Sequence, residues 1–473
     1  MQSKRDQVQA YFFVVGRLVS AVVHGRPDVL AQPNKRLNTG TFLGVILGGV
    51  LMGVFGIIGL FVPGGNVTWR QPGAIVMNED TGARYVFLED QLRPVLNYSS
   101  ARLAAGKSGG TVHKVSQKSL AGTPVGQPIG IPGAPDALPG ANALDGGPWT
   151  VCAQRAETNA RTAGPTATLL IGQSVGMMVA NSQALLVRAP DRVIYLIWEG
   201  KRHRIPGDAE ATALGYGGVA PVAVTSAWLN PIPQGRDFEV TRTPDTGAPG
   251  PDIDGGPSVV GQIYLVHNPA IGADQLYLMR SDGLAPLSPT SAALLLAAPF
   301  TKEAYDGSTV TPIEVGPGAL SGVPTSKGDT DLVGGLPRMP PTIVVPGKDD
   351  SVCAAFVPMG KGEMRVVTGV VPADVHKKAM PVAAHEAGTT ADRVLIPAGG
   401  GALVREQSSP EATLDAVYLV TETGMKYPLA DAAVVEALGY SARSAVAMPG
   451  EMLALLPSGP VLSVEGALRA QAR

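Results

Sequence analysis

Two cysteines, six histidines and one glycine-lysine-serine triplet are the side chains of this 473-residue chain whose types and spacing could do chemistry. Ala101-Arg-Leu-Ala-Ala-Gly106-Lys107-Ser108 fits a relaxed P-loop with Ala in place of the first Gly. A true P-loop follows a strand, cradles phosphates with the N–H groups of a glycine-rich turn, and opens a helix. Here the helix-forming run SSARL precedes Gly106, and Gly109-Gly110 and the extended Thr111, Val112 and His113 follow. No apolar strand ending in Asp stands at a Walker-B position. Gly106, Lys107 and Ser108 therefore read as the linker after a folded unit, with nucleotide binding as the weaker alternative. The histidines (24, 113, 203, 267, 376 and 385) are scattered. His385-Glu386 lacks the second His four residues on that a zincin needs. His203, inside Lys201-Arg-His-Arg204, reads as a solvated strand face. No G-x-S-x-G elbow surrounds a serine. No catalytic residue, metal or cofactor is expected.

The elements that would position any site begin with a membrane segment. Thr41–Val62 (TFLGVILGGVLMGVFGIIGLFV) holds no charge. At about 1.5 Å per residue it spans roughly 33 Å, enough for a hydrocarbon layer of about 30 Å. It has no polar stripe, which a buried core helix would show. A cleaved signal peptide would start nearer residue 1 and be shorter. Lys35 and Arg36 precede the segment, and the next basic residue after it is Arg70, so the N-terminus is expected in the cytoplasm. Gly44/Gly48 and Gly49/Gly53 form small-xxx-small pairs, which let helix backbones approach closely in lipid. Pro63-Gly64-Gly65 ends the helix. Charge divides at the same place. Residues 1–40 carry Lys4, Arg5, Arg17, Arg26, Lys35 and Arg36 against Asp6 and Asp28, a net of +4, while residues 63–473 are net -6. That excludes a uniformly basic, nucleic-acid-binding surface.

Before the membrane, Ser3-Lys-Arg-Asp6 has capping-box spacing. Val8, Tyr11/Phe12, Val15, Leu18/Val19 and Val22 recur at helical spacing, and Gly25 and Pro27 are stop signals. An amphipathic helix over about 4–24 follows. Its apolar stripe needs a partner, either another subunit's cytoplasmic domain (favoured) or the lipid surface.

Beyond the membrane, four stretches starting at Tyr85, Tyr195, Tyr277 and Tyr418 resemble one another. Each opens on a strand signal, turns, makes a second short strand near Pro94, Pro206, Pro286 or Pro428, and ends in a helix-forming run. In the second and fourth the run closes with Leu-Gly-Tyr, at 214–216 and 438–440. The expected fold is α+β and β-rich, a central β domain flanked by four small ββα-like repeats after one membrane helix. The divisions are 1–40 cytoplasmic, 41–62 membrane, 63–107 repeat one, 108–190 first central half, 191–240 repeat two, 241–257 linker, 258–300 repeat three, 301–415 second central half, 416–463 repeat four and 464–473 tail. The runs TLLIG, ALLVRA, TIVV, RVVTGVV and DRVLI are assigned to the central halves. Cys152 and Cys353 fall one in each half, and on the exported, oxidising side an even count suggests a disulfide. Closing a loop of some 200 residues would stabilise by roughly 5 kcal/mol in the chain-entropy account. A metal site is the rival, disfavoured because no pair of His or acidic ligands is near.

The N-terminal helix with its basic pre-membrane stretch, ARYVFLEDQLRPVLNYSSARLAAG, IGIPGAPDALPG (129–140), WTVCA (149–153), YPLADAAVVEALGY and LLPSGPVLS together resemble EccB, the single-pass core component of actinobacterial type VII (ESX) secretion systems. The resemblance runs through nearly the whole chain, departing at the third repeat, which lacks Leu-Gly-Tyr. It implies a disulfide-bonded exported core, self-association around a secretion path, and EccC (the motor ATPase), EccD and EccE as partners in the cell membrane. The expected role is a structural scaffold. Two rivals are weighed against it. One is an ATP-hydrolysing component, as the family is sometimes described, and the other an envelope- or peptidoglycan-binding module, for which no clustered aromatic platform is found.

Overall fold

A computed structural model describes residues 4–25, 34–61, 67–106, 111–155, 164–268, 272–327, 334–360, 363–407 and 416–471. Their contacts divide them into two bodies, Met1–Thr68 with Val115–Gly122, and Trp69–Lys114 with Thr123–Arg473. In the first, Lys4–His24 is a helix stopped at Gly25, whose φ of 67° no β-carbon-bearing residue adopts readily. Tyr11, Phe12, Leu18 and Val22 lie exposed along it. Ser3 of the expected capping box lies outside the described residues. The second helix, Asn34–Phe61, starts two turns before the expected Thr41, because Asn34-Lys-Arg-Leu-Asn-Thr39 contains no breaker. Leu37–Ile57 within it is long and apolar enough to cross a membrane, and none of it is covered by the chain. The expected exit, Pro63–Gly65, lies outside the described residues.

The second body is built on four sheets of one topology, each with its strands in the spatial order third, second, first, fourth. In module one the strands are Ile75–Asn78, Arg84–Leu88, Gln91–Pro94 and Val112–Val115. In module two they are Gln183–Arg188, Ile194–Trp198, Lys201–Ile205 and Val222–Ala223. Module three has Ile263–Asn268, Ala273–Arg280, Gly283–Leu287 and Ile313–Val315, and module four Gly401–Gln407, Val417–Thr421, Lys426–Leu429 and Val446–Pro449. A helix connects third strand to fourth: Tyr98–Ala105, Asp208–Ala213, Pro289–Ala297 and Ala432–Ala437. Asn97, Ser288 and Asp431 cap three of these by accepting from the N–H three residues on. In modules two, three and four the fourth strand runs parallel to the first, which is why a crossover helix is needed. The expected hairpin-plus-helix is thus the middle of a larger four-stranded unit.

That enlargement reassigns several runs. ALLVRA, expected in the first central half, pairs with Ile194–Trp198 and is the first strand of module two. Thr342–Ile343 of TIVV lies beside the same strand, not in the central sheet. Gly401–Gln407, expected in the second central half, opens module four. The expected linker 241–257 contains Pro249–Ile253, which forms a hairpin with Gly256–Val259. Its Asp254-Gly255 turn has both φ positive, the geometry that suits strand twist, and Ile253 packs against Tyr264 and Met279 of module three.

The central sheet has seven strands in the order Met380–Pro381, Arg393–Leu395, Thr166–Ile171, Trp149–Gln154, Asp350–Gly360, Glu363–Pro372, Met177–Met178. Two halves separated by modules two and three therefore make one sheet. Side chains alternate across it. Trp149, Val151, Ala153, Val352, Ala354 and Phe356 face a core shared with Leu185, Val187 and Trp228 of module two and Val404, Val420 and Met448 of module four. Cys152, Cys353, Leu170 and Val371 point the other way. Modules one and three do not reach this core. Leu103 and Ile131 of the first pack with Leu438 and Tyr440 of module four, and Leu294 of the third packs with Leu214 and Tyr216 of module two. Each inner module thus carries an outer one.

Candidate functional site

Three of the chemistry-bearing residues, Cys152, Cys353 and His376, lie together on the far face of the central sheet. Cys152 sits opposite Cys353 in the antiparallel pair, with Val352↔Ala153 and Ala354↔Val151 flanking them symmetrically. The two are disulfide-bonded across 201 residues, their Cα atoms 4.1 Å apart, and neither is solvent-exposed. Such closeness belongs to a non-hydrogen-bonded cross-strand pair, where side chains meet most directly.

Beside the bridge, His376 places Nε2 2.8 Å from Ser351 Oγ and Nδ1 2.7 Å from Thr168 Oγ1. A serine–histidine contact can mean an activated nucleophile, but Ser351 is 1% and His376 2% exposed, so no substrate reaches them. Burial, then the charge of Arg393, holds the imidazole below its ordinary pKa. In this neutral state one ring nitrogen donates and the other accepts, tying Thr168 of the first half to Ser351 of the second. Sequence carried no sign of this tie, because its members lie up to 208 positions apart.

His203 corrects the expectation of a solvated face, for it is fully buried. Its ring packs against Phe238 and Trp198, and Nδ1 donates to the Arg236 carbonyl at 2.8 Å. Nε2 is buried with no hydrogen-bond partner among the described residues. Burial lowers its pKa, so it too is neutral. Arg202 and Arg204, the neighbours that suggest exposure, alternate to the opposite face of the strand from His203. Among the described residues no three His, Cys, Asp or Glu side chains could jointly hold a metal ion.

The helix Tyr98–Ala105 ends at Gly106, whose N–H returns to the Arg102 and Leu103 carbonyls as a C-cap. Lys107 and Ser108 lie outside the described residues. Gly44, Gly48, Gly49 and Gly53 have open space around them within this one chain.

The contacts that hold the modules recur in kind. Tyr216 and Tyr440, the last residues of the two Leu-Gly-Tyr runs, donate their hydroxyls to the carbonyls of Pro341 (3.0 Å) and Pro139 (2.8 Å). Burial pushes both phenols far above their ordinary pKa. Each proline lies on the segment leading from an outer module into a central cysteine strand. Gly424, in the turn of module four, has φ +73°, and a Cβ there would collide with Val394 of the central sheet; Gly200 of module two abuts Val366 in the same way. A further pattern recurs in the sequence, Leu-x-x-x-Pro-x-(Gly/Ser) at 120–126, 229–235, 320–326 and 453–459. In every module the third strand donates to this proline's carbonyl (Leu92 to Pro124, Arg202 to Pro233, Leu284 to Pro324, Lys426 to Pro457). The N–H two residues later returns the bond. This covers an edge that would otherwise present unpaired backbone. The fixed spacing was the available signal.

Comparison with known proteins agrees with this architecture. The sequence model of the family described as "Type VII secretion system ESX-1, transport TM domain B" matches residues 1–472. The ESX-3 secretion system ATPase EccB3 of Mycolicibacterium smegmatis is 31% identical over 497 positions, covering 98% of this chain and 90% of the relative. The ESX-5 secretion system ATPase EccB5 of Mycobacterium tuberculosis is 27% identical, covering 98% and 93%. Among solved structures, a chain of the intact ESX-5 inner membrane complex superposes with a TM-score of 0.68 at 25% identity, covering 100% of this chain and 96% of that one. A chain of the EccB3 dimer from the ESX-3 core complex gives 0.67 at 29%, covering 84% and 100%. This chain therefore belongs to the EccB family of type VII secretion proteins.

Proposed function

We propose that this protein is a membrane-anchored structural subunit of a type VII (ESX) secretion complex, supporting protein export across the cytoplasmic membrane. The observation that carries the reading is one helix, Asn34–Phe61, whose apolar Leu37–Ile57 is uncovered, in the same chain as a large body of interlocked sheets and in a sequence that the family matches over residues 1–472. The basic stretch before the helix keeps the N-terminus cytoplasmic and the sheet body extracytoplasmic. The exposed stripe of Lys4–His24 docks on a cytoplasmic subunit. Gly44, Gly48, Gly49 and Gly53 let the membrane helix pack closely against a neighbouring helix in lipid. The central sheet with its four modules forms an outer brace that associates with further copies; the related EccB3 chain of the ESX-3 core complex is a dimer. EccC, EccD and EccE are the companion subunits. Purification through an affinity tag in mild detergent tests this; recovery of the protein alone, from cells that make those subunits, would count against it. A phosphatase fused at the C-terminus should be active only outside the cytoplasm. The relatives' names carry "ATPase". In this chain Gly106 closes a helix where a phosphate loop would open one, and scaffolding accounts for that geometry. If Lys107→Ala abolished ATP turnover by the purified protein, the catalytic reading would replace it.

A further inference from the structure

The two module pairs are built alike but closed differently. In the first pair, module one on module four, Arg102 stands one residue before Leu103 on the outer helix and reaches across to the inner one. Its Nε donates to the Ala437 carbonyl at 3.2 Å, and its Nη2 lies so close to Gly439 that a Cβ there would come within 2.6 Å of it. The second pair, module three on module two, matches position by position. Leu294 takes the place of Leu103, and Ala213-Leu-Gly-Tyr216 that of Ala437-Leu-Gly-Tyr440. Arg102 and Ala293 each lie five residues past a helix N-cap, Asn97 and Ser288. Where the first pair has Arg102, the second therefore has alanine. A Cβ on Gly215 would meet nothing within 4 Å, and among the described residues no hydrogen bond reaches the Ala213 carbonyl. The result is an open groove of about 510 Å³ lined by Ala209, Thr212, Ala213, Pro289, Ala293 and Leu296 among others.

We propose that this groove receives an arginine side chain presented by a different polypeptide, which supplies from outside the group that Arg102 supplies from within. The stem lies on Ala293 and Leu296, as long cationic side chains lie on apolar surface. The planar fork donates to the Ala213 carbonyl, one of the acceptors that a helix end leaves without an internal partner. Charge agrees with this occupant. The stretch 241–327, which builds module three and its hairpin, carries four basic against eight acidic side chains, so the surroundings draw a cation. Arginines seated in largely apolar pockets are among the side chains that dominate interface energy. A lipid tail would cover the apolar wall and leave the carbonyl without a donor. A second copy related by a two-fold axis would need the arginine beside its own groove, and among the described residues the lining holds none.

Full-length protein in mild detergent carries the first test. Cys152 and Cys353 are bonded to each other and buried, so Ala209→Cys at the rim of the groove supplies an accessible thiol of its own. It is exchanged with a mixture of 2-mercaptoethylguanidine and 1-butanethiol, and the two adducts are counted by mass spectrometry. The guanidinium-to-butyl ratio should be at least about tenfold higher than in the same protein carrying Ala293→Arg, which closes this groove as Arg102 closes the other. Ala293→Met, which fills the space without charge, should lower the ratio as well. A ratio that neither change moves, or that only the charged one moves, overturns the proposal. In cells that make the protein, p-benzoylphenylalanine in place of Ala297 should crosslink to another polypeptide through a peptide that contains an arginine, and Ala293→Arg should abolish the adduct. A crosslink to a second copy, to a segment without arginine, or to nothing overturns the docking. The thermal midpoint of Ala293→Arg should be no lower than the parent's; a fall would overturn the equivalence of the two pairs. None of these arms rests on the secretion reading, which the co-purification above tests separately.

Discussion

Replacing the cystine should weaken the protein by an amount set by the length of chain it closes. The bridge spans 201 residues, which in the chain-entropy account corresponds to about 5 kcal/mol of constraint on the unfolded state. Residual structure in the denatured modules reduces this, so a loss of about 3–5 kcal/mol is expected. Cys152→Ala, Cys353→Ala and the double variant should lose nearly the same amount, agreeing within about 1 kcal/mol, because either single change removes the whole bridge. The native sheet should persist, since Val352↔Ala153 and Ala354↔Val151 pair without the sulfurs. Two buried tryptophans report on the right place. Trp149 lies on the first cysteine strand, and the Trp228 indole donates to the Val352 carbonyl at 3.1 Å. Urea unfolding followed by their fluorescence should show the midpoint fall by about 1–2 M, taking an m-value of about 3 kcal/mol per M. An unmoved midpoint, or a double variant that loses twice what a single one does, would refute the argument that the bridge acts through loop closure.

Three further outcomes follow from named contacts. Tyr440→Phe leaves the Pro139 carbonyl buried without its donor and should lower stability by about 1–3 kcal/mol. Tyr216→Phe should do the same at Pro341, and because the sites lie in different modules the two losses should add in urea titrations of the double variant. Gly424→Ala should be worse than Gly255→Ala by about 1–3 kcal/mol in the same assay. Both glycines have φ +73°, but only at 424 does a new methyl strike the central sheet, while at 255 it meets open space. The buried histidines set a pH dependence. His376 and His203 have folded pKa values below that of the unfolded chain, about 6.5. Their contribution to stability is therefore complete above pH ~6.5, where both states are neutral. It is lost as pH falls towards the folded pKa, by at most about 1.4 kcal/mol per pH unit for each. Subtracting the pH profile of His376→Gln from that of the parent should isolate one such slope; a flat difference between pH 7 and 5 would refute the assignment.

What the sequence disclosed depended on how local the signal was. The apolar span needs no partner to be recognised, and an even pair of cysteines in an exported chain announces a bridge. The tyrosine-led hairpins could be found because their two strands are adjacent in sequence. The first and fourth strand of each module could not, because each pairs across a connection whose other end is not written nearby. Ile75-Val-Met-Asn78 and the two-residue Val222-Ala223 have no alternation to mark them. ALLVRA looked central because an apolar run identifies burial and not the sheet that provides it. The stretch 241–257 has the Gly, Pro and Asp content of a linker, yet its Asp254-Gly255 is a hairpin turn. His203 failed for a related reason, since charged neighbours on a strand describe the opposite face.

The uneven distribution of Leu-Gly-Tyr now has a physical reason. An outer module needs one partner, and the helix of module one meets it through Leu103, which packs with Leu438 and Tyr440, and Arg102, which donates to the Ala437 carbonyl. An inner module must bury one surface on the central sheet and offer another to an outer module. Leu438 and Tyr440 supply that second surface, and the tyrosine hydroxyl fastens the strand-bound segment that passes over it. Leu214 and Tyr216 do the same in module two. The third module's lack of the motif follows from its position at the outside of the pair, and the first lacks it for the same reason. Swapping the helical runs of modules three and two should consequently be tolerated worse by the inner site. A chimera carrying the outer run at 208–216 would leave Leu294 without its packing partners Leu214 and Tyr216 and Pro341 without its donor, and limited proteolysis should then cut between the second and third modules first.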